Sequence, residues 1–504
     1  MILSELFHRV DVVKWNVPKD MEISHITSDS RCVLKGGMFI CIEGEHTDGH
    51  LYAEEALRRG ACVIVASSEE KLPPGAPSVV TANTRLAEAH IWNNWYGRPA
   101  ESMKTIAVTG TNGKTTTAFF LREIFRMAGK RVGVVTTLKV MAGDMVIEGH
   151  KSSSVSDKIS SMTTPDPEYF YGCIYLMKQK DVDTLIFEAS SHALAQYKLD
   201  PLKIDCAVFT NLTREHLDFH GDMENYFSSK KRLASLADKL IVNSDDAYLR
   251  RLMTEDDKQR ITSVSADTAS EGFKSADVNA LCRNKLGVDG VEYVYFSKKA
   301  VFKMKSRMIG DFTVYNSLLA AAAAMKMGVE AEVVRDGVAS LRGVDGRLEK
   351  VDLGRDDLGF EVIIDYAHTP AALEGVLRLL RECRNEGQKI TLLFGCGGER
   401  DRGKRRSMGA VASRLADFVI VTADNSRGED PDAIIGEILL GIDREKPYKV
   451  ISDRRSAIEY AVSSASKGEI ILLAGKGHEK YEITSRGMIP FDEAEIVRSA
   501  ASKL

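Results

Sequence analysis

The sequence carries no excess charge of either sign: 68 lysines and arginines stand against 72 aspartates and glutamates, a formal net charge of -4. That balance supplies no field for holding a polyanion, so neither nucleic acid nor a membrane surface is an expected partner. Long apolar runs are missing too. The longest, Leu318 to Met325, falls far short of the roughly 20 residues that span a bilayer. The first turns hold Glu5, His8, Arg9 and Asp11 rather than a basic stretch followed by an apolar one, so no cleaved leader is expected and the expected location is the cytoplasm. Eight cysteines (Cys32, Cys41, Cys62, Cys173, Cys206, Cys282, Cys383 and Cys396) include no C-x-x-C pair, which favours reduced, buried thiols over disulfides or zinc. Fixed-period repeats and low-complexity tracts are also absent.

What remains is a chain of 504 residues, 44% hydrophobic and 28% charged, long enough for about three ordinary globular domains. The first hundred residues hold short strand-like runs, Gly37 to Ile42 and Ala61 to Ala66, around a helical stretch at Ala53 to Arg59. Gly97-Arg98-Pro99 breaks the helix expected over Ala87 to Tyr96 and marks a first boundary. Strand-like runs at Thr105–Val108, Val132–Thr136, Thr184–Phe187, Ala207–Phe209 and Leu240–Val242 then alternate with helical spacing, as in a parallel sheet covered on both faces. Gln259 to Lys305 is more polar and alternating, which suggests a small antiparallel element. Asn316 to Met327 is an Ala-rich helix, and a second boundary falls near Ser340 to Arg347. Beyond it Val362–Ile364, Ile390–Phe394, Phe418–Val421 and Ile470–Leu473 restart the βα rhythm. The expected fold class is α/β with three domains, 1–99, 100–339 and 340–504: a central mononucleotide-binding, P-loop-like parallel sheet and a C-terminal Rossmann-like doubly wound domain.

The sharpest local signal is Gly110-Thr111-Asn112-Gly113-Lys114-Thr115-Thr116, directly after a strand and before a helix. Its glycines let the backbone curl so that N–H groups face phosphate oxygens, the helix start adds partial positive charge, and Lys114 adds a full one. The Thr115 hydroxyl suits Mg²⁺. The full P-loop pattern asks for a glycine where Val108 stands. A plain Gly-rich turn with a surface lysine is the competing reading, and the strand–loop–helix setting with its Lys-Thr-Thr ending disfavours it.

This shortened loop resembles that of the Mur ligases and the folylpolyglutamate synthetases. Further matches follow in order: Glu188-Ala189-Ser190-Ser191-His192, Thr210 to Asp218 with His220-Gly221, Tyr226 to Lys230, Asn316, Arg347, and Asp365 to Pro370. Ser30-Arg31 with Asp48-Gly49-His50 resembles the UDP-binding N-terminal domain of the Mur ligases, which the folylpolyglutamate synthetases lack. Thr163-Thr164-Pro165 resembles their muramoyl-peptide loop, and Asp424 to Arg427 with Gly475 to Glu479 resembles the amino-acid pocket of the diamino-acid-adding branch.

The resemblance implies ATP as co-substrate, Mg²⁺, a UDP-muramoyl dipeptide and a diamino acid as small-molecule partners, and a monomer. It also implies the reaction, in which ATP phosphorylates the dipeptide's terminal carboxylate and an amine displaces phosphate from the acyl phosphate. Catalytic roles fall to Lys114, Glu188, His216 and Lys230. Thr115, Glu188, His216 and Lys230, the last as a carbamate, become metal ligands. The nucleotide falls to residues 110–116 (Gly110, Thr111, Asn112, Gly113, Lys114, Thr115, Thr116) with Asn316, Arg347, Asp365 and His368. The UDP-muramoyl dipeptide falls to Ser30, Glu45, His46, Thr47, Thr163, Thr164, Ser190, Gln196 and Lys198, and the amino acid to Arg400, Asp424, Asn425, Ser426, Arg427, Gly475 and Glu479. Met162 and Lys198 stand where the family commonly has Asn and Arg, and Ser426 where it commonly has Pro.

The residues also carry plainer readings. Glu188 could cap a helix start, and Lys230 beside Lys231 could sit on a solvated helix face. His216 and His220 have the i, i+4 spacing of a zinc pair, although H-x-x-x-H alone is common. His368 in a turn could be structural. The resemblance assigns Arg427 to ligases that use meso-diaminopimelate, whose second carboxylate a guanidinium can grip bidentately, with L-lysine or another diamino acid as the alternative. A ligase of this superfamily for a folate or cyanophycin-type acceptor, or a nucleotide-dependent regulator without ligase chemistry, completes the alternatives.

Overall fold

A computed structural model describes residues 1–44, 47–147, 163–254 and 259–504. The chain forms two compact units, one of residues 1–279 with 318–337, the other of 280–317 with 338–504.

The first unit opens with a five-stranded sheet in the order Val12–Trp15, Ser78–Thr81, Ala61–Ala66, Gly37–Ile40, His25–Thr27, parallel except for its first pair. A larger sheet follows. Ile261–Ser265, Ala237–Asn243, Ile204–Phe209, Lys104–Thr109, Thr184–Glu188 and Val132–Val135 lie side by side and all parallel. Its strands are buried on both faces, which is why they read as continuous apolar runs. From Lys104–Thr109 the chain passes first to one side and then, with Ile204–Phe209, to the other. That reversal opens a crevice at the carboxyl ends of the strands, the usual ligand position in such sheets.

Ile261–Ser265 was expected in an antiparallel element but extends the parallel sheet. Its serines misled. Ser263 and Ser265 are buried, and their hydroxyls donate to Asp277 (2.8 Å) and Asp245 (2.6 Å), so a polar-looking strand is covered on both faces. Antiparallel pairing is seen at Val291–Ser297 with Val301–Ser306 in the second unit, where Tyr295 stacks on Phe302.

The second unit also contains a six-stranded sheet in the order Glu349–Lys350, Glu361–Asp365, Ile470–Ala474, Ile390–Phe394, Phe418–Val421, Tyr448–Val450, parallel after its first pair. Helices Pro370–Cys383 and Gly403–Leu415 bury Leu373, Leu377, Leu380, Met408 and Ala412 in one core of this unit. Helices Arg454–Ser463 and Glu493–Ala501 bury Ile458, Val462, Ile496 and Val497 in another. Loops leave the carboxyl ends of its strands at Asp365, Phe394, Val421 and Ala474. No helix among the described residues is long and apolar enough to cross a membrane.

Candidate functional site

The phosphate loop is fixed by the segment that follows the strand Ile204–Phe209. Thr210 Oγ1 donates to the Asn112 carbonyl (2.6 Å), Asn211 Nδ2 donates to the same oxygen (3.0 Å), and the Asn112 N–H donates to Asn211 Oδ1 (2.9 Å). Thr111 shares a hydroxyl contact with Tyr226 (3.1 Å) and accepts from the Thr213 N–H (2.9 Å). Such close approach needs glycine at Gly110. Its φ is 149°, and a Cβ there would lie 1.9 Å from Thr210 Oγ1. Gly113, at φ 83°, turns the chain into the helix Lys114–Met127, whose first N–H groups carry no intrahelical acceptor.

Lys114 Nζ donates to the carbonyls of Gly110 (3.0 Å) and Thr111 (2.8 Å). Lys230 Nζ, on the helix Met223–Leu236 and 2% exposed, donates to the same Gly110 oxygen at 2.8 Å and lies 4.8 Å from the centre of the Tyr226 ring. Burial first, and then the charge of Lys114, hold Lys230 well below the usual lysine range, against a smaller opposing pull from Glu215. The lysine beside the loop is therefore one whose charged form burial disfavours. This settles the plainer reading of Lys230 against a solvated face, whereas Lys231 is exposed.

Glu188 ends a buried strand and is itself fully buried. Its carboxylate accepts from the Thr115 hydroxyl (2.6 Å), the Thr137 hydroxyl (2.9 Å) and the Thr137 N–H (3.2 Å). The sequence reading did not single out Thr137, because nothing local marks a residue 51 positions away. His216 has a left-handed backbone (φ 56°) and lies among aromatic rings, 5.0 Å from His192 and 6.3 Å from Tyr226 between ring centres. His220 is buried. Its imidazole is pushed down to about 4 by burial, then by His192 and Lys230, and its Nε2 has no hydrogen-bond partner among the described residues. The Thr115 hydroxyl and the Glu188 carboxylate, 2.6 Å apart, are hard oxygen donors of the kind that suits Mg²⁺.

The residues assigned to the UDP-muramoyl dipeptide fall in this same unit. Ser30 is buried and donates to Glu55 (3.1 Å); Thr47 lies on the surface, and Thr163 and Gln196 are half-buried. Glu45, His46 and Met162 lie outside the described residues. The Thr164 hydroxyl bridges two sides of one turn, donating to the Glu188 carbonyl (2.7 Å) and accepting from the Ser190 N–H (3.0 Å). Ser190 caps the short helix Ser191–Ala195. The ammonium of the buried Lys198 is 2.7 Å from Asp166. Glu88, not anticipated from sequence, is pushed up to about 7 by burial and then by Asp166, with Ser28 and Lys198 opposing.

In the second unit, Asn316 is buried on the helix Asp311–Lys326. Asp365 accepts from the N–H groups of Leu348 (2.9 Å) and Ala367 (2.8 Å), Arg347 lies 5.5 Å from the Tyr366 ring centre, and His368 Nδ1 is 2.9 Å from the Tyr366 carbonyl. A separate cluster gathers at the carboxyl ends of the strands Phe418–Val421 and Ile470–Ala474. Asn425 donates to Glu479 (2.7 Å) and accepts from Lys476 (2.9 Å) and the Ile483 N–H (2.9 Å). Lys476 also lies 3.5 Å from Asp424. Arg427, with φ 51°, donates to the Gly398 carbonyl (2.9 Å). Ser426 is buried. Arg400 is exposed. Carboxylates, amides and a guanidinium around one set of strand ends are the complement of a zwitterion.

A glycine-turned loop between strand and helix, with a buried carboxylate and a buried lysine close to it, has the form of a nucleotide site in an α/β enzyme. Three family descriptions match the chain: Mur ligase family, catalytic domain, over residues 22–108; Mur ligase middle domain over 108–324; and Mur ligase, glutamate ligase domain, over 346–477. UDP-N-acetylmuramoyl-L-alanyl-D-glutamate–2,6-diaminopimelate ligases are similar along their whole length: that of Syntrophomonas wolfei subsp. wolfei is 36% identical, covering 98% of each chain, and that of Caldanaerobacter subterraneus subsp. tengcongensis is 39% identical, covering 95% of each. A solved structure of such a ligase superposes with a TM-score of 0.72 at 28% identity, covering 100% of this chain and 99% of that one. A MurF ligase of Thermotoga maritima, solved with ADP, shares the fold (TM-score 0.55, 17% identity, covering 96% of this chain and 100% of that one). The chain belongs to the Mur ligase family. It is an ATP-dependent, amide-forming ligase.

A Gly110→Ala variant is expected to lose about 2–4 kcal/mol of stability, from strain at an unsuitable φ and overpacking against Thr210. Nucleotide affinity should fall at least about tenfold, since the loop cannot keep its curl. Urea denaturation with nucleotide titration checks both, and wild-type values in both would contradict the loop's assigned role.

Proposed function

We propose that the chain adds meso-2,6-diaminopimelate to UDP-N-acetylmuramoyl-L-alanyl-D-glutamate, using ATP, in the assembly of peptidoglycan precursors in the cytoplasm, and that it works as a monomer. The observation that carries this is full-length similarity, at 35–39% identity, to ligases named for that reaction. The division of labour proposed is UDP-substrate binding by residues 1–99, nucleotide binding by 100–339 and amino-acid binding by 340–504.

In this reading Lys114 and the loop N–H groups take the β- and γ-phosphates, where charge concentrates as the phosphoryl group moves to the acceptor carboxylate. Asn316, Arg347, Asp365 and His368 serve the nucleotide. Mg²⁺ would be held by Thr115, Glu188, His216 and carbamylated Lys230, and would neutralise phosphate charge. Ser30, Glu45, His46, Thr47, Thr163, Thr164, Ser190, Gln196 and Lys198 hold the UDP-muramoyl dipeptide. Arg400, Asp424, Asn425, Ser426, Arg427, Gly475 and Glu479 hold the amino acid, with Asp424 and Glu479 suited to ammonium and the arginines to carboxylate. L-lysine lacks the second carboxylate for Arg427, so a guanidinium left unpaired disfavours it.

Carbamylation of Lys230 is supported by its geometry. Two lysine amines share the Gly110 carbonyl, and burial shifts the second one towards the neutral form, the one that adds CO₂ and releases a proton. The product is an anion, which the Lys114 ammonium beside it favours. Lys230→Ala is expected to be nearly inactive and partly restored by added short carboxylates. An active, Mg²⁺-loaded enzyme whose Lys230 mass is unmodified would contradict the carbamate.

The test of the whole reading is ADP release measured with the UDP-dipeptide, the amino acid, both or neither. Turnover is expected with both present, with diaminopimelate preferred over L-lysine by about 2–4 kcal/mol in kcat/KM. Arg427→Ala should erase that preference. Wild-type preference for L-lysine, or unchanged selectivity in the variant, would remove Arg427 as the selector.

A further inference from the structure

The most deeply buried ion pair of the second unit lies behind the amino-acid cluster. Arg454 opens the helix Arg454–Ser463 and Glu493 opens the helix Glu493–Ala501. Their side chains are 0% and 1% exposed, and Arg454 Nε donates to Glu493 Oε1 at 2.8 Å. The other two guanidinium nitrogens reach different strands. Nη1 donates to the Ala423 carbonyl (3.2 Å) and Nη2 to the Ala474 carbonyl (2.9 Å). These strand ends are not neighbours, because Ile390–Phe394 runs between them.

Each carbonyl belongs to the residue immediately before a pocket residue: Ala423 precedes Asp424, and Ala474 precedes Gly475. The two loops also meet directly. Gly475 has φ 116°, and a Cβ on it would stand 2.7 Å from Asp424 Oδ2, so the carboxylate rests against bare backbone. Asp424 therefore has its position set from both sides at once, by its own strand and by the loop it touches.

A buried ion pair is a poor device for stability, since desolvation offsets most of the attraction and apolar residues of like volume often serve as well. What apolar residues cannot supply is a planar fork of donors for two separate carbonyls, or a positive charge near Asp424. We propose that Arg454, oriented by Glu493, is a positioning residue for the amino-acid substrate, holding the Asp424 and Gly475 loops at the spacing that receives the substrate's ammonium group. The charge acts in the same direction. Burial alone would raise the Asp424 carboxyl, yet Arg454 and then Lys476 more than offset it, and the group is held below its ordinary value. An ionised carboxylate is the form that binds an ammonium. The proposal rests on the assignment of this cluster to the amino acid.

The test uses the full-length chain and steady-state KM values for meso-diaminopimelate, the UDP-dipeptide and ATP in wild type, Arg454→Met, Arg454→Lys and Arg454→Met/Glu493→Leu. The double change removes both charges and leaves apolar bulk, so no uncompensated carboxylate is buried. In Arg454→Met and in the double variant, the KM for the amino acid is expected to rise at least about tenfold, with the other two within about twofold and kcat within about threefold. Arg454→Lys keeps the charge but reaches one carbonyl at most, and should recover part of the loss. A folded double variant with wild-type KM for the amino acid, or one in which all three KM values rise alike, would overturn the proposal. So would failure of the double variant to fold, which assigns the pair to stability. Wild type measured alongside separates the two readings: absence of diaminopimelate-dependent ADP release there counts against the amino-acid assignment, not against Arg454.

Discussion

The closeness of the phosphate loop to the strand that passes beside it constrains everything else in the first unit. Gly110 leaves no Cβ against Thr210, so Thr210 and Asn211 can grip the carbonyl of Asn112 from one side while Lys114 and Lys230 approach the Gly110 carbonyl. With a side chain at position 110 that arrangement collapses. The loop is thus not a self-contained phosphate cradle but the meeting point of the strand Lys104–Thr109, the segment after Ile204–Phe209 and the helix Met223–Leu236.

The second unit solves a similar problem by charge. Its pocket residues hang on loops from separate strands, and backbone hydrogen bonds within the sheet do not fix the spacing of such loops. Fixed donors do. Besides Arg454, the fully buried Arg405 pairs with Glu429 (2.9 Å) and Glu437 (3.0 Å) and donates to the Gly397 carbonyl (3.3 Å), tying the loop after Ile390–Phe394 to the segment that carries Arg427. Glu429 is held down to about 2, first by its hydrogen bonds from Arg405. Helix-borne arginines on the inside therefore organise the loops at these strand ends.

Much of this was legible in the sequence, for definite reasons. The phosphate loop announces itself because strand, glycines, lysine and hydroxyl are contiguous. Parallel strands announce themselves because burial on both faces leaves no room for polar residues, and Ile261–Ser265 escaped because its serines are buried with carboxylate partners close by in space. Glu188 was visible as an acid at the end of an apolar run. Its partner Thr137, the pairing of Lys198 with Asp166, the raised carboxyl of Glu88 and the reach of Arg454 to two carbonyls were not visible. Each joins residues at least 20 positions apart through the folded sheet, and no local pattern encodes such a contact. Lys230 lies between: spacing alone could not tell it from Lys231, and burial separates them.

The central claim is that ATP is used to activate the dipeptide's carboxylate, and oxygen transfer tests it most directly. The acyl phosphate forms when a carboxylate oxygen attacks the γ-phosphorus; when the amine attacks the acyl carbon, that oxygen leaves with phosphate. With UDP-dipeptide labelled by ¹⁸O in its terminal carboxylate, the account predicts one labelled oxygen in the inorganic phosphate released per turnover. Ligated product accompanied by unlabelled phosphate would contradict it.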